Sequence, residues 1–285
     1  MAGVSTMAVA TLAVGGGVAA TSSLLVQGMI AALCGALVSF SLGLIGGGGS
    51  ILAVPLMLYV VGLHDPHLAI GTAALAVSIN AYINLIPHAR AGHVKWGAAV
   101  TFAVSGVMGA MFGSSIGKLI DGHKLIVYFA FLMCFVAVLM LRPRARQAAS
   151  TPVLATSAGT SMPLQQCWKR LTGTGLGAGC LSGFFGIGGG FLVVPGLMFA
   201  GRLEIVNAIG TSLFAVGSFG MTTAVNYAIA GDVDWLVAGE FVAGGIVGGW
   251  LGARSASRLA TRRGALNLVF SAMIVGVAAY ILWRA

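Results

Sequence analysis

The sequence predicts an all-α polytopic membrane protein built from two inverted-topology repeats. Each repeat is predicted to contain a short helical hairpin with a Gly-rich break, followed by three transmembrane helices. Composition predicts the membrane class, because 58% of the 285 residues are hydrophobic and only 7% are charged, whereas a soluble domain has roughly 25% charged residues. The repeats are predicted because the chain matches itself at an offset of about 140 residues.

The chain divides into four parts along its length. Residues 1–22 are predicted to be an apolar N-terminal tail or a short leading helix; no Lys or Arg precedes the first apolar run, unlike in a secretory signal peptide. Residues 23–141 form the first membrane repeat, and residues 171–285 form the second. Residues 142–170 are rich in Ala, Ser, Thr and Pro and are predicted to be a flexible cytoplasmic linker.

Each repeat contains five apolar segments, of which the second is too short to cross a bilayer comfortably. At 1.5 Å per residue, this segment covers only about 17 to 20 Å. A glycine run joins it to the first segment, so the two form either a re-entrant hairpin or one broken span. The predicted segments are 24–46, 51–63, 67–87, 95–116 and 125–141 in the first repeat, and 172–186, 191–201, 205–230, 235–253 and 265–283 in the second.

The positions of the basic residues favour the hairpin and set the orientation. The linker carries five Lys or Arg residues and no acid, which places it in the cytoplasm by the positive-inside rule. With hairpins, the arginine-rich loop at 254–263 is also cytoplasmic and both termini are extracytoplasmic. Three further crossings per repeat make an odd number, so the second repeat enters the membrane upside down. His93 and Lys95 match Asp232 and Asp234, and this charge reversal supports the inverted arrangement.

Charge and motifs exclude several classes of protein. The net charge of +9 comes from residues at span ends, where it reports orientation rather than nucleic-acid binding. The four cysteines lack CxxC spacing and the five histidines lie at span ends or in loops, so neither a metal site nor a cofactor is expected. The chain has no GxxxxGK[ST] motif, which argues against a nucleotide-driven pump.

The two glycine runs are the leading candidates for a substrate site. Glycine lets the backbone turn sharply and approach a ligand, and a short helix that starts after the run points free N–H groups and its positive dipole end toward it. Such an arrangement binds an anion without a fixed cation. The alternative is close helix packing alone. The candidate residues are Gly47, Gly48, Gly49 and Ser50 in the first repeat and Gly188, Gly189 and Gly190 in the second.

Polar side chains in later segments extend the candidate site. Thr72 and Thr211 are matched hydroxyls that either donate to an oxyanion or bond to a carbonyl of their own helix. Asn80 and Ser212 lie in the same segments, where polar side chains face either a cavity or a neighbouring helix. Glu240 is the candidate proton carrier, because it is an acid well inside an apolar run. A salt bridge or a hydrated outer vestibule is the alternative for this carboxylate.

The paired motifs resemble the TauE/SafE family, also described as sulfite exporter or sulfonate permease proteins. The likeness rests on the stretches Gly46–Pro55 and Gly186–Pro195, two Ile-Gly-Thr triplets and two Ala-Gly-x-Val-x-Trp stretches. It covers about residues 30 to 283 without the linker. One departure is Gly47, which stands where the second repeat has Ile187. The resemblance implies transport of sulfite, sulfonates or related sulfur anions, driven by ion gradients.

The sequence therefore predicts a multi-pass secondary transporter of the cytoplasmic membrane that holds a small sulfur-containing anion near the midplane between the two glycine runs. Its expected partners are that anion, the lipid bilayer and a coupling ion, for which the proton is the candidate. An anion channel is the alternative transport hypothesis. A membrane scaffold or an intramembrane enzyme is the alternative from another class.

Overall fold

The computed structural model describes residues 25–43, 46–141, 164–201 and 203–259, and these residues are helical apart from short turns. The first helix, α1, spans Leu25–Gly43. The predicted tail at residues 1–22 and the predicted last segment at residues 265–283 lie outside the described residues.

The second helix, α2, changes its winding along its length. It runs through a 3₁₀ turn at Gly47–Leu52, an α-helical turn at Ala53–Leu56 and a π-helical turn at Met57–Val61. Pro55 contributes to this irregularity because it lacks a backbone N–H. The other helices are α3 (Pro66–Arg90), α4 (Trp96–Leu119), α5 (Gly122–Leu141), α6 (Leu164–Phe185), α7 (Gly190–Gly201), α8 (Ile205–Ala230) and α9 (Trp235–Leu259).

Five of these helices are long and apolar enough to cross a membrane, namely Leu25–Gly43, Pro66–Arg90, Trp96–Leu119, Val206–Ala230 and Trp235–Gly252. The all-α polytopic class that the sequence predicts is therefore confirmed. The opposite orientation of the two repeats in a bilayer stays a prediction.

Local sequence explains several helix boundaries. The Asp65 side chain accepts a hydrogen bond from the His67 N–H at 2.9 Å, and Pro66 occupies the first turn of α3. Gly62 and Gly231 end α2 and α8 in the left-handed conformation, each with φ of 87°. Both helices therefore end at glycine, the residue that adopts a positive φ with the smallest steric penalty.

Helix α6 begins earlier than predicted. It starts at Leu164, so the part of the predicted linker from 164 to 170 is helical. Gln165, Gln166 and Lys169 are good helix formers, and they extend the apolar segment by about two turns. The rest of the predicted linker lies outside the described residues.

Each repeat opens with a helical hairpin. The side-chain amide of Gln27, near the start of α1, donates to the carbonyl of Val61 at the end of α2 at 3.2 Å. In the second repeat, Gly201 at the end of α7 packs near Leu171 at the start of α6. Both pairs of helices are therefore antiparallel, with a glycine loop at the apex, as the sequence predicts.

The hairpin of each repeat packs on the fourth helix of the other repeat. Glycines of α9 lie on backbone carbonyls of α1, and glycines of α4 lie on backbone carbonyls of α6. A methyl group at any of these glycines would overlap the opposing backbone, so the glycines set the close approach of the helices. The contacts are Gly248 and Gly252 on Ala36 and Phe40, and Gly109 and Gly113 on Leu176 and Cys180.

Helices α3 and α8 cross at the centre of the molecule. The Ser78 hydroxyl donates to the Gly217 carbonyl at 2.6 Å, and Tyr82 and Ser218 share a hydrogen bond of 3.1 Å between their hydroxyls. Ser78 and Gly217 are matched positions of the two repeats, at an offset of 139. A contact between matched positions is expected wherever a pseudo-twofold axis relates two inverted repeats, and this axis stays a prediction.

Candidate functional site

The two glycine loops form the apices of the hairpins. In the first loop, Gly46 has φ of 77°; in the second, Gly186, Gly188 and Gly189 each have φ of 66°. These are left-handed values that residues with a Cβ rarely adopt. Glycine is thus required by the backbone at these positions, and the second loop requires it more often than the first.

The two apices lie against the same stretch of α8. A Cβ added at Gly46 would stand 3.0 Å from the Ser212 hydroxyl, and one added at Gly188 would stand 3.1 Å from Val216 and 3.4 Å from Val77 of α3. Ser212 and Val216 are one helical turn apart, or about 6 Å. The first turn of α2 also contacts α7. The structure therefore brings the two predicted glycine runs together beside the crossing of α3 and α8.

No charged side chain belongs to either hairpin near its loop. Residues 27–62 and residues 171–201 contain no Asp, Glu, Lys or Arg. Helices α2 and α7 both begin at the loops, so each points the positive end of its dipole there. Leu192 and Val193 donate their N–H groups to the Gly189 carbonyl, and the N–H groups before them have no acceptor within the helix. The loops are thus electropositive through backbone dipoles alone.

Two of the predicted serines border the first loop. Ser50 is fully buried in the first turn of α2. Ser212 is also fully buried, faces Gly46, and donates its hydroxyl to the Ile209 carbonyl at 2.8 Å. Both belong to the wall of the site, although the Ser212 proton is used within its own helix.

Two serines that the sequence analysis missed lie beneath the loops. Ser41 of α1 faces Gly49, and Ser182 of α6 faces Gly189. Both side chains are fully buried, and neither hydroxyl has a hydrogen-bond partner within the described part of the chain. The offset between them is 141, one more than that of the adjacent glycines, so the self-alignment did not pair them.

Thr72 and Thr211 each accept a hydrogen bond at the start of a helix of the other repeat. The backbone N–H of Asp234, just before α9, donates to the Thr72 hydroxyl at 2.9 Å. The N–H of Lys95, just before α4, donates to the Thr211 hydroxyl at 3.1 Å. The contacts are reciprocal between the repeats. In each contact the threonine hydroxyl is the acceptor, and donation of its proton to an oxyanion or to a carbonyl of its own helix stays a prediction.

Asn80 lies one turn along α3 from Val77 and faces Gly245 of α9. Its side chain is 1% exposed, and neither its amide nitrogen nor its oxygen has a partner among the described residues. The matched position in the second repeat is Phe219, which packs on Gly106 in the same way. The wall formed by α3 is therefore polar at this position, and the matched wall formed by α8 is aromatic.

Glu240 is remote from the glycine loops. Its carboxylate lies over Gly28, near the start of α1. The loop follows Gly43, and the 15 residues between these two positions correspond to about 22 Å of helix. The matched residue, Thr101, donates its hydroxyl to the Gly97 carbonyl at 2.8 Å. The structure thus separates the candidate proton carrier from the candidate anion site.

Comparison with known proteins agrees with the fold class. The sequence model of the family described as Sulfite exporter TauE/SafE matches residues 30–281. A probable membrane transporter protein of Xylella fastidiosa (strain Temecula1) is 54% identical over 250 residues, which cover 88% of this chain and 93% of the relative. The probable membrane transporter protein YunE of Bacillus subtilis (strain 168) is 29% identical over 251 residues, with coverage of 84% and 89%. No solved structure gives a significant match.

Proposed function

The chain belongs to the Sulfite exporter TauE/SafE family of membrane transporters, and we propose that it is a secondary transporter of a small sulfur-containing anion, such as sulfite or a sulfonate. The observation that supports this most strongly is the convergence of two uncharged glycine loops at the start of α2 and α7. Backbone N–H groups at helix starts bind oxyanions. The chain is a carrier and not an enzyme, in keeping with its family.

A site of neutral dipoles suits a carrier, because a carrier has to release its anion as well as bind it. A buried Lys or Arg at the loops would hold an anion strongly and would itself require compensation after the anion leaves. Backbone dipoles and hydroxyl groups remain neutral whether or not an anion is bound, so the empty carrier can change back to the conformation that opens to the other side. Residues 27–62 and 171–201 fit this requirement because they contain no charge.

The two hairpins also suggest how the site opens alternately to each side. Each loop belongs to one repeat but packs on the third helix of the other, with Gly46 on α8 and Gly186 on Ile70 of α3. If the repeats are inverted, the two hairpins enter from opposite faces of the membrane, and movement of either one exposes the anion to one side. We place this transport in the cytoplasmic membrane, driven by an ion gradient, with the proton as the coupling ion.

Uptake into proteoliposomes tests the proposal. Purified protein is reconstituted and supplied with labelled sulfite, thiosulfate, sulfate, methanesulfonate and acetate, with and without an imposed pH gradient. We expect saturable uptake of at least one sulfur oxyanion, accelerated by the gradient and by the same anion on the opposite side. Flux that rises linearly with concentration would indicate the channel instead, and preference for acetate would refute the sulfur-anion assignment.

A further inference from the structure

We propose that Ser41 and Ser182 are side-chain ligands of the transported anion, each donating its hydroxyl proton to an oxygen held at the loop of its own hairpin. This inference rests on the proposed function and specifies how the same site recognises its substrate. The ligand class is a small oxyanion with at least two free oxygens, as in sulfite or a sulfonate.

The first argument is that these two hydroxyls are buried without a partner. Both serines are 0% exposed, and neither Oγ makes a hydrogen bond within the described residues. An unpaired hydroxyl in a protein interior destabilises the folded state, and native structures rarely contain one without a water, an ion or a ligand to satisfy it. Two such hydroxyls in equivalent places indicate a missing acceptor that both of them serve.

The second argument is that other buried hydroxyls, on the neighbouring helices α3 and α8, are already used. Ser78 donates to the Gly217 carbonyl at 2.6 Å, Ser212 to the Ile209 carbonyl at 2.8 Å, and Thr223 to the Phe219 carbonyl at 3.0 Å. The free hydroxyls lie instead against the glycine loops. Among the buried serine and threonine hydroxyls of the described residues, the two without a partner thus lie where the backbone amides of α2 and α7 point, while the Tyr227 hydroxyl, which also lacks a partner there, lies near Gly117.

The third argument is geometric. Ser41 contacts the position that a Cβ at Gly49 would occupy, and the Ser182 hydroxyl lies 3.0 Å from the corresponding position at Gly189. Only glycine leaves room beside each hydroxyl. The two loops contact α8 at Ser212 and Val216, which are one helical turn apart, so the two hydroxyls belong to hairpins whose apices pack on the same stretch of that helix.

Two donors on different hairpins require a ligand with acceptors on two sides. A sulfite or sulfonate group offers several oxygens around one sulfur atom and satisfies both hydroxyls and several N–H groups at once. A halide ion is a single sphere and fits this divided set of donors less well. The serines thereby link substrate choice to the meeting of the two repeats, since only a bound oxyanion joins both hairpins.

The test compares Ser41→Ala, Ser182→Ala and the double variant with the wild type, using sulfite, methanesulfonate and bromide as probes. Binding is measured by thermal unfolding in detergent. We expect each single variant to raise the dissociation constant of the oxyanion at least tenfold and the double variant to lose binding. The unfolding temperature without ligand should stay equal to the wild-type value or rise, because an unpaired buried hydroxyl has been removed. Bromide should protect none of the proteins.

Ser78→Ala is the matched control, because it removes a buried serine hydroxyl that has a protein acceptor. This variant should lower the unfolding temperature and keep the wild-type dissociation constant. Ser41→Cys and Ser182→Cys keep a hydrogen-bond donor, although a weaker one on a slightly larger side chain, and they should fold and bind with intermediate affinity, so the test does not depend on the alanine variants folding.

The outcomes separate the two proposals. If the wild type binds an oxyanion and the serine variants bind it equally well, the serine assignment is wrong and the proposed function stands. If the alanine variants lose ligand-free stability as Ser78→Ala does, the hydroxyls are structural and the assignment is also wrong. If the wild type binds none of the oxyanions, the proposed function and the serine assignment both fail.

Discussion

The two hairpins bring their loops to the same place with different backbones. In the second loop, Gly186, Gly188 and Gly189 all have φ of 66°, whereas among the described residues of the first loop only Gly46 has a positive φ, and a 3₁₀ turn begins at Gly47. Each loop still packs on the third helix of the other repeat and covers a buried serine of its own hairpin. What the repeats share is the set of contacts, and the path of the loop backbone is free to vary.

The side chains that α3 and α8 present to the neighbouring helices differ more between the repeats than the loops do. Asn84 donates to the Ser39 hydroxyl of α1 at 2.9 Å, but its counterpart Thr223 bonds only to the Phe219 carbonyl of its own helix. Asn80 of the first repeat is likewise polar, whereas its counterpart Phe219 is apolar. The polar wall therefore belongs to the first repeat, and a symmetric fold surrounds an asymmetric lining.

The largest expected difference between the repeats is their orientation. Ala91 and Ala230 are matched, exposed residues at the ends of α3 and α8. In a cysteine-free background, Ala230→Cys should react with a membrane-impermeant thiol reagent in intact cells, and Ala91→Cys should react only after the membrane is permeabilised. Equal labelling of the two positions in intact cells would contradict the inverted arrangement.

The next difference concerns Glu240, whose matched position in the first repeat is Thr101. Glu240→Gln should abolish accumulation driven by a pH gradient and leave anion exchange and affinity unchanged, because the carboxylate is about 22 Å along α1 from the loop. Uptake and exchange in the same proteoliposomes provide the two measurements, with Thr101→Val as the matched control in the first repeat. Gradient-driven uptake at the wild-type rate would remove Glu240 from the coupling mechanism.

The loops themselves provide a third comparison. Gly188→Ala places a side chain on a left-handed residue that touches Val77 and Val216, so it should raise the substrate dissociation constant at least tenfold, which is about 1.4 kcal/mol. Gly48→Ala lies in a 3₁₀ turn without positive φ and should have a smaller effect. Isothermal titration with the preferred anion measures both constants. Equal losses would show that the loops hold the anion in the same way.

The smallest expected difference is between the two capping threonines. Thr72→Val and Thr211→Val each remove the acceptor of one N–H at a helix start, so each should lower the free energy of unfolding by about 1 kcal/mol. Denaturant unfolding in detergent measures the loss, and oxyanion affinity should stay at the wild-type value. Lost affinity with unchanged stability would restore these threonines as ligands.

Much of the architecture was predictable because it depends on residue spacing. Apolar segment lengths gave the helices, the short second segments indicated the hairpins, and the paired glycine runs identified the loops. These features are local, and a single sequence contains them. The segment predicted at 205–230 coincides with α8, for example, since Gly231 stops that helix where the apolar run ends.

The roles of individual polar residues were less predictable because they depend on tertiary contacts. Nothing near Thr72 in the sequence indicates that the start of α9, about 160 residues away, donates an N–H to it. Ser41 and Ser182 escaped self-comparison through a register shift of one residue. The sequence shows how far Glu240 lies inside its apolar segment. Its distance from the loops depends on the packing of α9 on α1, which the sequence does not show.

The exchange of hairpins between the repeats has a consequence for biosynthesis. Helix α1 leaves the ribosome first, yet the glycines on which it packs belong to α9, where Gly248 meets Ala36 from about 210 residues earlier in the chain. Contacts this distant in the chain form only after nearly the whole protein has been inserted. The first hairpin must wait in lipid, or beside the insertion machinery, until α9 arrives. A chain truncated before α9 would lack the surface on which its own beginning packs.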